Sequence, residues 1–180
     1  MKSDITFNPF TNRLSRNIRN SLSSAFSDAL RSMDTGALVR CKTAWLQLNL
    51  PDAMAAYIGD RMQRYNRIID HVRTHRISDS RRQALLAWNE RLFFEVHEVL
   101  EDLWHPATGA LRKALQGWIL AAGMGEHLHY GQSSAAQRLA RKADQLLRTH
   151  QDQLAFIGNL EDLLDWLQDC SNPPPELRPA

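Results

Sequence analysis

The chain has little cysteine. Of 180 residues only Cys41 and Cys170 are cysteine, and no C-x-x-C occurs, which excludes a disulfide scaffold and a cysteine-rich zinc site. Long apolar runs are missing too: none approaches the roughly 20 residues that span a bilayer. There is no alternating strand pattern, internal repeat, glycine-rich phosphate loop or nucleophile elbow. P-loop nucleotide binding and serine-hydrolase chemistry therefore have no foothold. The opening MKSDITFNPF lacks the apolar segment of a secretory signal, so a cytoplasmic location is the expectation.

Hydrophobic residues make up 43% and charged residues 23%, enough for a soluble globule with a sizeable core. The net charge of +2 hides an asymmetry. Residues 1–88 carry 14 Lys/Arg against 7 Asp/Glu, and residues 89–180 carry 8 against 13. Opposite halves can satisfy one another, and the arginines are spread along helices rather than clustered with aromatics. That spread argues against nucleic acid as a partner.

Periodicity reads as helix nearly everywhere. Leu14, Ile18, Leu22, Phe26, Leu30 and Met33 recur at helical spacing beside Arg13, Arg16 and Arg19, a basic amphipathic helix. Asp28 and Asp34 argue against a membrane surface for it, so it is expected to pack on the chain or on a second copy. A short apolar segment surrounds Trp45 and Leu46. Pro51 opens a helix to about His75 with Met54, Ile58, Met62, Tyr65, Ile69 and Val72 inward and Arg61, Arg64 and Arg67 outward. The next helix is read from the break at Ile77–Ser80 as far as Trp104, and HPATG then forms a loop. Further helices follow at about 110–129, about 134–149 and from Asn159 to about Cys170, with Ser133 or Ser134 and Asn159 as expected caps.

These elements predict an all-α fold, an antiparallel helical bundle with a long N-terminal helical extension. The expected divisions are a basic extension over 1–80, a helical core domain over 81–170, and a loosely held Pro-rich tail over 171–180.

One stretch carries chemistry: FFEVHEVLEDLW, residues 93–104. Leu92, Val96, Val99, Leu100 and Leu103 fall on one side of a helix, while Glu95, Glu98 and Asp102 fall on an acidic face. His97 and Glu101, one turn apart, lie between, flanked by Phe94 and Trp104, with Glu90 further up the line. Imidazole and carboxylate at this spacing suit a divalent metal such as Zn, Fe or Mn. A pair is too few ligands, so a third is expected from elsewhere, with His127 of GEHLHYG the best candidate and Glu98 a further one. Gln116, Gly123 and His127 share a stripe on the following helix, with Gly123 allowing close approach. Simple antiparallel pairing, however, puts His127 nearer Glu90 and Phe94 than Glu101. HEVLE is not HExxH, because Glu101 stands at the second His position. Only one Glu-x-x-His spacing exists, ending at His129, so a di-iron bundle is weakly supported. His71 and His75 read as surface histidines, and Trp104 and Trp118 as core.

HEVLEDLW also matches the H-x-x-x-E-x-x-W/Y signature of the family called domain of unknown function 309. The lead-in NERLFFEVHEVLE, the later LQGWI and the H-L-x-x-G at His127–Gly131 resemble that family over roughly residues 84–147. The resemblance implies a small helical domain with His97, Glu101 and Trp104 at signature positions and a suggestion of metal binding. It brings no established reaction. Family members often read LQGLIQ where this chain has LQGWIL, so Leu120 replaces a polar residue.

Two readings stay open. The first is a divalent-metal site at His97, Glu101, Glu98 and His127, with metal-activated water if the protein is an enzyme. The second is a non-catalytic structural or protein-interaction module. There His97 and Glu101 lock helices together, and the N-terminal helix docks a partner or second subunit.

Overall fold

A computed structural model describes residues 6–180. The first five residues, where the expected extension begins and part of the leader reading falls, lie outside the described residues. The described chain is all-helical, with eight α-helices and no strand. It divides into two compact units, Met1–Arg76 and Ile77–Ala180.

In the first unit, α1 spans Arg13–Ser32, α2 Gly36–Leu46 and α3 Asp52–His75. The Asn12 side chain accepts from the Ser15 amide at 3.0 Å and starts α1. Ile18, Leu22, Phe26 and Leu30 are buried, and Phe26 stacks on Tyr65 of α3 with ring centroids 4.3 Å apart. The stripe, expected to pack on the chain or on a second copy, packs within this unit against α3. Pro51 serves as the N-cap of α3, with ψ 147°, one position before the first turn where it was expected. Arg61, placed outside by the sequence, is inside, and Arg19, read beside the apolar stripe, is buried with it. Arg61 is 3% exposed with its guanidinium 4.8 Å from the Tyr57 ring centroid. Arg19 is 8% exposed beside Phe10 and Asn20. Both cover their aliphatic stems and hold the charge on aromatic or amide groups.

The second unit holds α4 Ser80–Asn89, α5 Phe93–Trp104, α6 Gly109–His129, α7 Ser133–Thr149, a 3-10 turn Gln151–Leu154 and α8 Leu160–Gln168. Asp79 caps α4 by accepting from the Arg81 amide at 2.9 Å. The Arg81 side chain, bonded to the same carboxylate, holds the Asp79 pKa below its ordinary 3.8. The single helix expected as far as Trp104 is broken at Glu90–Leu92. Arg91 takes the left-handed conformation at φ 58°. Its amide bonds the Trp88 carbonyl, and the Leu92 amide bonds that of Ala87, a Schellman stop. No glycine or proline marks the place, so the apolar period runs across it unbroken.

Beside it lies the tail, which is not loose. The Asn89 side chain makes two 2.8 Å bonds to the Leu177 backbone, donating to its carbonyl and accepting from its amide. The Pro175 carbonyl accepts from the Trp88 indole at 2.8 Å. Leu177 is 1% exposed, and Asn159 binds both the Glu176 carbonyl and the Arg178 amide. A proline-rich segment cannot continue a helix, but it leaves carbonyls free, and here the side chains take them up.

Candidate metal centre

Two close contacts set the pairing of α5 with α6. A Cβ on Gly125 would lie 2.8 Å from the Phe93 ring, so only glycine admits that ring. At the other end the Arg112 guanidinium lies 3.7 Å from the Trp104 ring centroid. Its Nη1 also donates to the carbonyls of Trp104, His105 and Ala107. Arg112 thus closes the C-terminus of α5, where carbonyls lack helical partners. Composition alone gave no sign of this, although the basic residue just past the HPATG loop is the signal that was there. Trp104 is the seat for that clamp. Gly123, expected to allow the close approach, does not: a Cβ there would meet Leu139 at an ordinary 3.4 Å. Gly117 of LQGWI is the tight one, with Leu147 at 2.8 Å.

Leu92, Val96 and Leu100 are fully buried, and Val99 nearly so. At roughly 1.5–3 kcal/mol per buried side chain this face anchors α5. The expected acidic face divides in three: Asp102 is exposed, Glu98 half-buried, and Glu95 is 0% exposed and engaged inside the fold. Glu126 of α6 is likewise buried.

His97, Glu98 and Glu101 come together. One ligand atom from each lies within 4.8 Å of the other two, the one group of three such residues among the described residues. His97 Nδ1 is 3.5 Å from Glu98 Oε1, and Nε2 is 3.8 Å from Glu101 Oε1. The side chains are 35%, 32% and 42% exposed, so solvent reaches all three. His97 Nδ1 is itself buried and has no hydrogen-bond partner among the described residues. Phe94 lies beside the imidazole, with ring centroids 6.3 Å apart and planes at 15°.

His127 is not a member of this group. With Phe93 against Gly125 and Trp104 against Arg112, Leu120 falls at the level of His97 and Gln116 at the level of Glu101. His127 lies seven residues beyond Leu120, about 10 Å further along the axis. It belongs to the stop of α6. Its Nδ1 is 2.6 Å from the Gln132 side chain, its carbonyl accepts from the Gln132 amide, and Gly131 at φ 72° makes the turn. That bond occupies Gln132, the residue in the cap position of α7 where Ser133 or Ser134 was expected. His71 and His75 are exposed and stacked on each other at 4.1 Å.

Residues 82–139 match the family described as domain of unknown function (DUF309). That segment runs from the first turn of α4 into α7, about a third of the chain, and contains the His97 cluster. Among curated proteins and solved structures none matches the chain. No described helix is long and apolar enough to cross a membrane. Within the matched segment, H-L-x-x-G is thus a helix stop and Trp104 a clamp seat. The one departure noted in the sequence, Leu120, falls at the level of His97.

Proposed function

We propose that the DUF309 segment binds one divalent cation through His97 and Glu101, with Glu98 as third ligand or as the group that orients the imidazole. The carrying observation is an imidazole between two carboxylates at 3.5 and 3.8 Å. These separations are beyond good hydrogen bonds. The 3.8 Å between Nε2 and Glu101 Oε1 is within about half an ångström of the roughly 3.3 Å between two ligands that share a tetrahedral ion with bonds near 2.05 Å. Each ring nitrogen faces a different carboxylate, which fits the pattern in which one nitrogen binds metal while the other donates to an acid.

The helix-locking reading has less to stand on. Both acid partners of His97 lie on α5 itself, so the pairs join no second helix. Half-exposed pairs of this kind contribute about 0.3–0.5 kcal/mol. Mixed nitrogen and oxygen ligands suit Zn, Fe or Mn. So few protein ligands leave positions for water, and the chemistry such a site supports is hydrolytic.

The test is equilibrium dialysis of tag-free protein against zinc and manganese. One ion per chain is expected, lost in His97→Ala and Glu101→Gln and weakened roughly 10–100-fold in Glu98→Gln if that group orients the ring. Uptake that persists unchanged in His97→Ala would defeat the proposal.

A further inference from the structure

A second site lies at the N-terminal end of α5. There the unit has a cleft of about 400 Å³ lined by Arg91, Phe93, Gly125, Trp166 and the tail residues Asn172 and Pro174, a size that suits a small ligand. Its apolar wall is fixed in place. Phe93 is trapped by the close approach of Gly125 and by the Trp88 ring, edge-on at 5.1 Å. The Trp166 indole donates to the Asn172 carbonyl at 3.0 Å and lies nearly parallel to Phe93, with 19° between planes.

Arg91 supplies the polar end. Its left-handed backbone is not in itself distinctive, since Met33 and Arg76 end helices in the same way. The guanidinium is. Of its five N–H donors, one reaches the Pro175 carbonyl at 3.3 Å. Among the described residues no carboxylate lies within ion-pair distance of it. Burial draws its pKa down, with the more distant Glu176 opposing. A part-buried guanidinium with one carbonyl bond and only the more distant Glu176 carboxylate for counter-charge has donors to spare for a ligand anion.

We propose that this cleft binds a small aromatic carboxylate, its carboxylate paired with Arg91 and its ring against Phe93 and Trp166. A planar guanidinium matches a carboxylate with two parallel bonds, and the His129 imidazole on the same lining offers a further polar contact. The rigid aromatic wall selects a flat apolar body. This site shares no residue with the His97 cluster and needs no metal.

Calorimetric titration with benzoate and indole-3-acetate, in buffer containing a chelator, tests it. Both acids should bind, and their neutral amides roughly 10–100-fold more weakly, the worth of a charged hydrogen-bonded pair. Arg91→Gly should bring the acids down to the level of the amides. It should also keep or raise the melting temperature, because glycine is favoured at this backbone position and the Pro175 carbonyl keeps its Trp88 donor. No binding of either acid, equal binding of acid and amide, or unchanged affinity in Arg91→Gly would each overturn the proposal. Phenyl phosphate binding more tightly than benzoate would overturn the choice of carboxylate.

Discussion

Gly125→Ala probes the contact that positions the candidate site, and its effect has two terms of opposite sign. Replacing glycine by alanine inside a helix ordinarily stabilises by about 0.8–1 kcal/mol. At position 125, however, the new methyl would sit 2.8 Å from two atoms of the Phe93 ring and 3.0 Å from a third. Phe93 cannot swing away, being 5% exposed and held by Trp88 and Trp166. Overpacking of this kind costs about 1–3 kcal/mol, so the net is a loss centred near 1 kcal/mol. For a unit of this size that lowers the melting temperature by roughly 4–8 °C, measured by circular dichroism. Gly59→Ala is the control. Gly59 is exposed in α3 with nothing within 4 Å of a new Cβ, so the propensity term acts alone and that variant gains about 1 kcal/mol. Phe93→Leu should partly rescue Gly125→Ala, with a coupling energy of roughly 0.5–3 kcal/mol. If Gly125→Ala stabilised the protein as Gly59→Ala does, the pairing of α5 with α6 argued above would be wrong.

Other substitutions read other links. Asn89→Ala removes both bonds to the Leu177 backbone and should cost about 1–3 kcal/mol, with faster hydrogen exchange over 171–180; unchanged exchange there would contradict the anchoring of the tail. Asp79→Ala should cost about 1 kcal/mol through the lost cap. Because the folded pKa of Asp79 is lowered, its contribution is present above the ordinary value near 3.8 and is lost as pH falls through the folded value. The gap in melting temperature between wild type and variant should therefore close in acid; a gap as wide at pH 2 as at pH 7 would refute the linkage. Arg112→Ala strips the clamp from the last turn of α5 and should lower stability by about 1–2 kcal/mol, since a helix-end cation and its packing are lost together. Arg112→Lys should restore only part, and full restoration would argue against the stacked guanidinium.

The helices were legible because their apolar residues keep a 3.6-residue period, and His97 and Glu101 because their spacing puts them on one edge. What escaped the sequence was decided by contacts distant along the chain. The break at Glu90–Leu92 has no glycine or proline to mark it, and Asn89 beside it meets Leu177, far beyond any local signal. Glu95 and Arg61 carry charges that mark them for the surface, yet neighbours in the fold draw both inside. The tail reads as unstructured because its prolines exclude helix, while its carbonyls find side-chain donors that no local pattern reveals. Of the two further ligands expected beside His97 and Glu101, Glu98 joins the cluster because it lies next to His97 on the same helix, whereas His127 does not, because it sits at the far end of α6.

The central claim is an ion held between the imidazole of His97 and the carboxylate of Glu101. Anomalous X-ray scattering from crystals of tag-free protein soaked in zinc or manganese addresses it directly. The expected map has one peak about 2.0–2.2 Å from His97 Nε2 and from a Glu101 oxygen, absent in His97→Ala crystals. A fully occupied peak elsewhere, or His97 and Glu101 left bare at millimolar metal, would contradict the account.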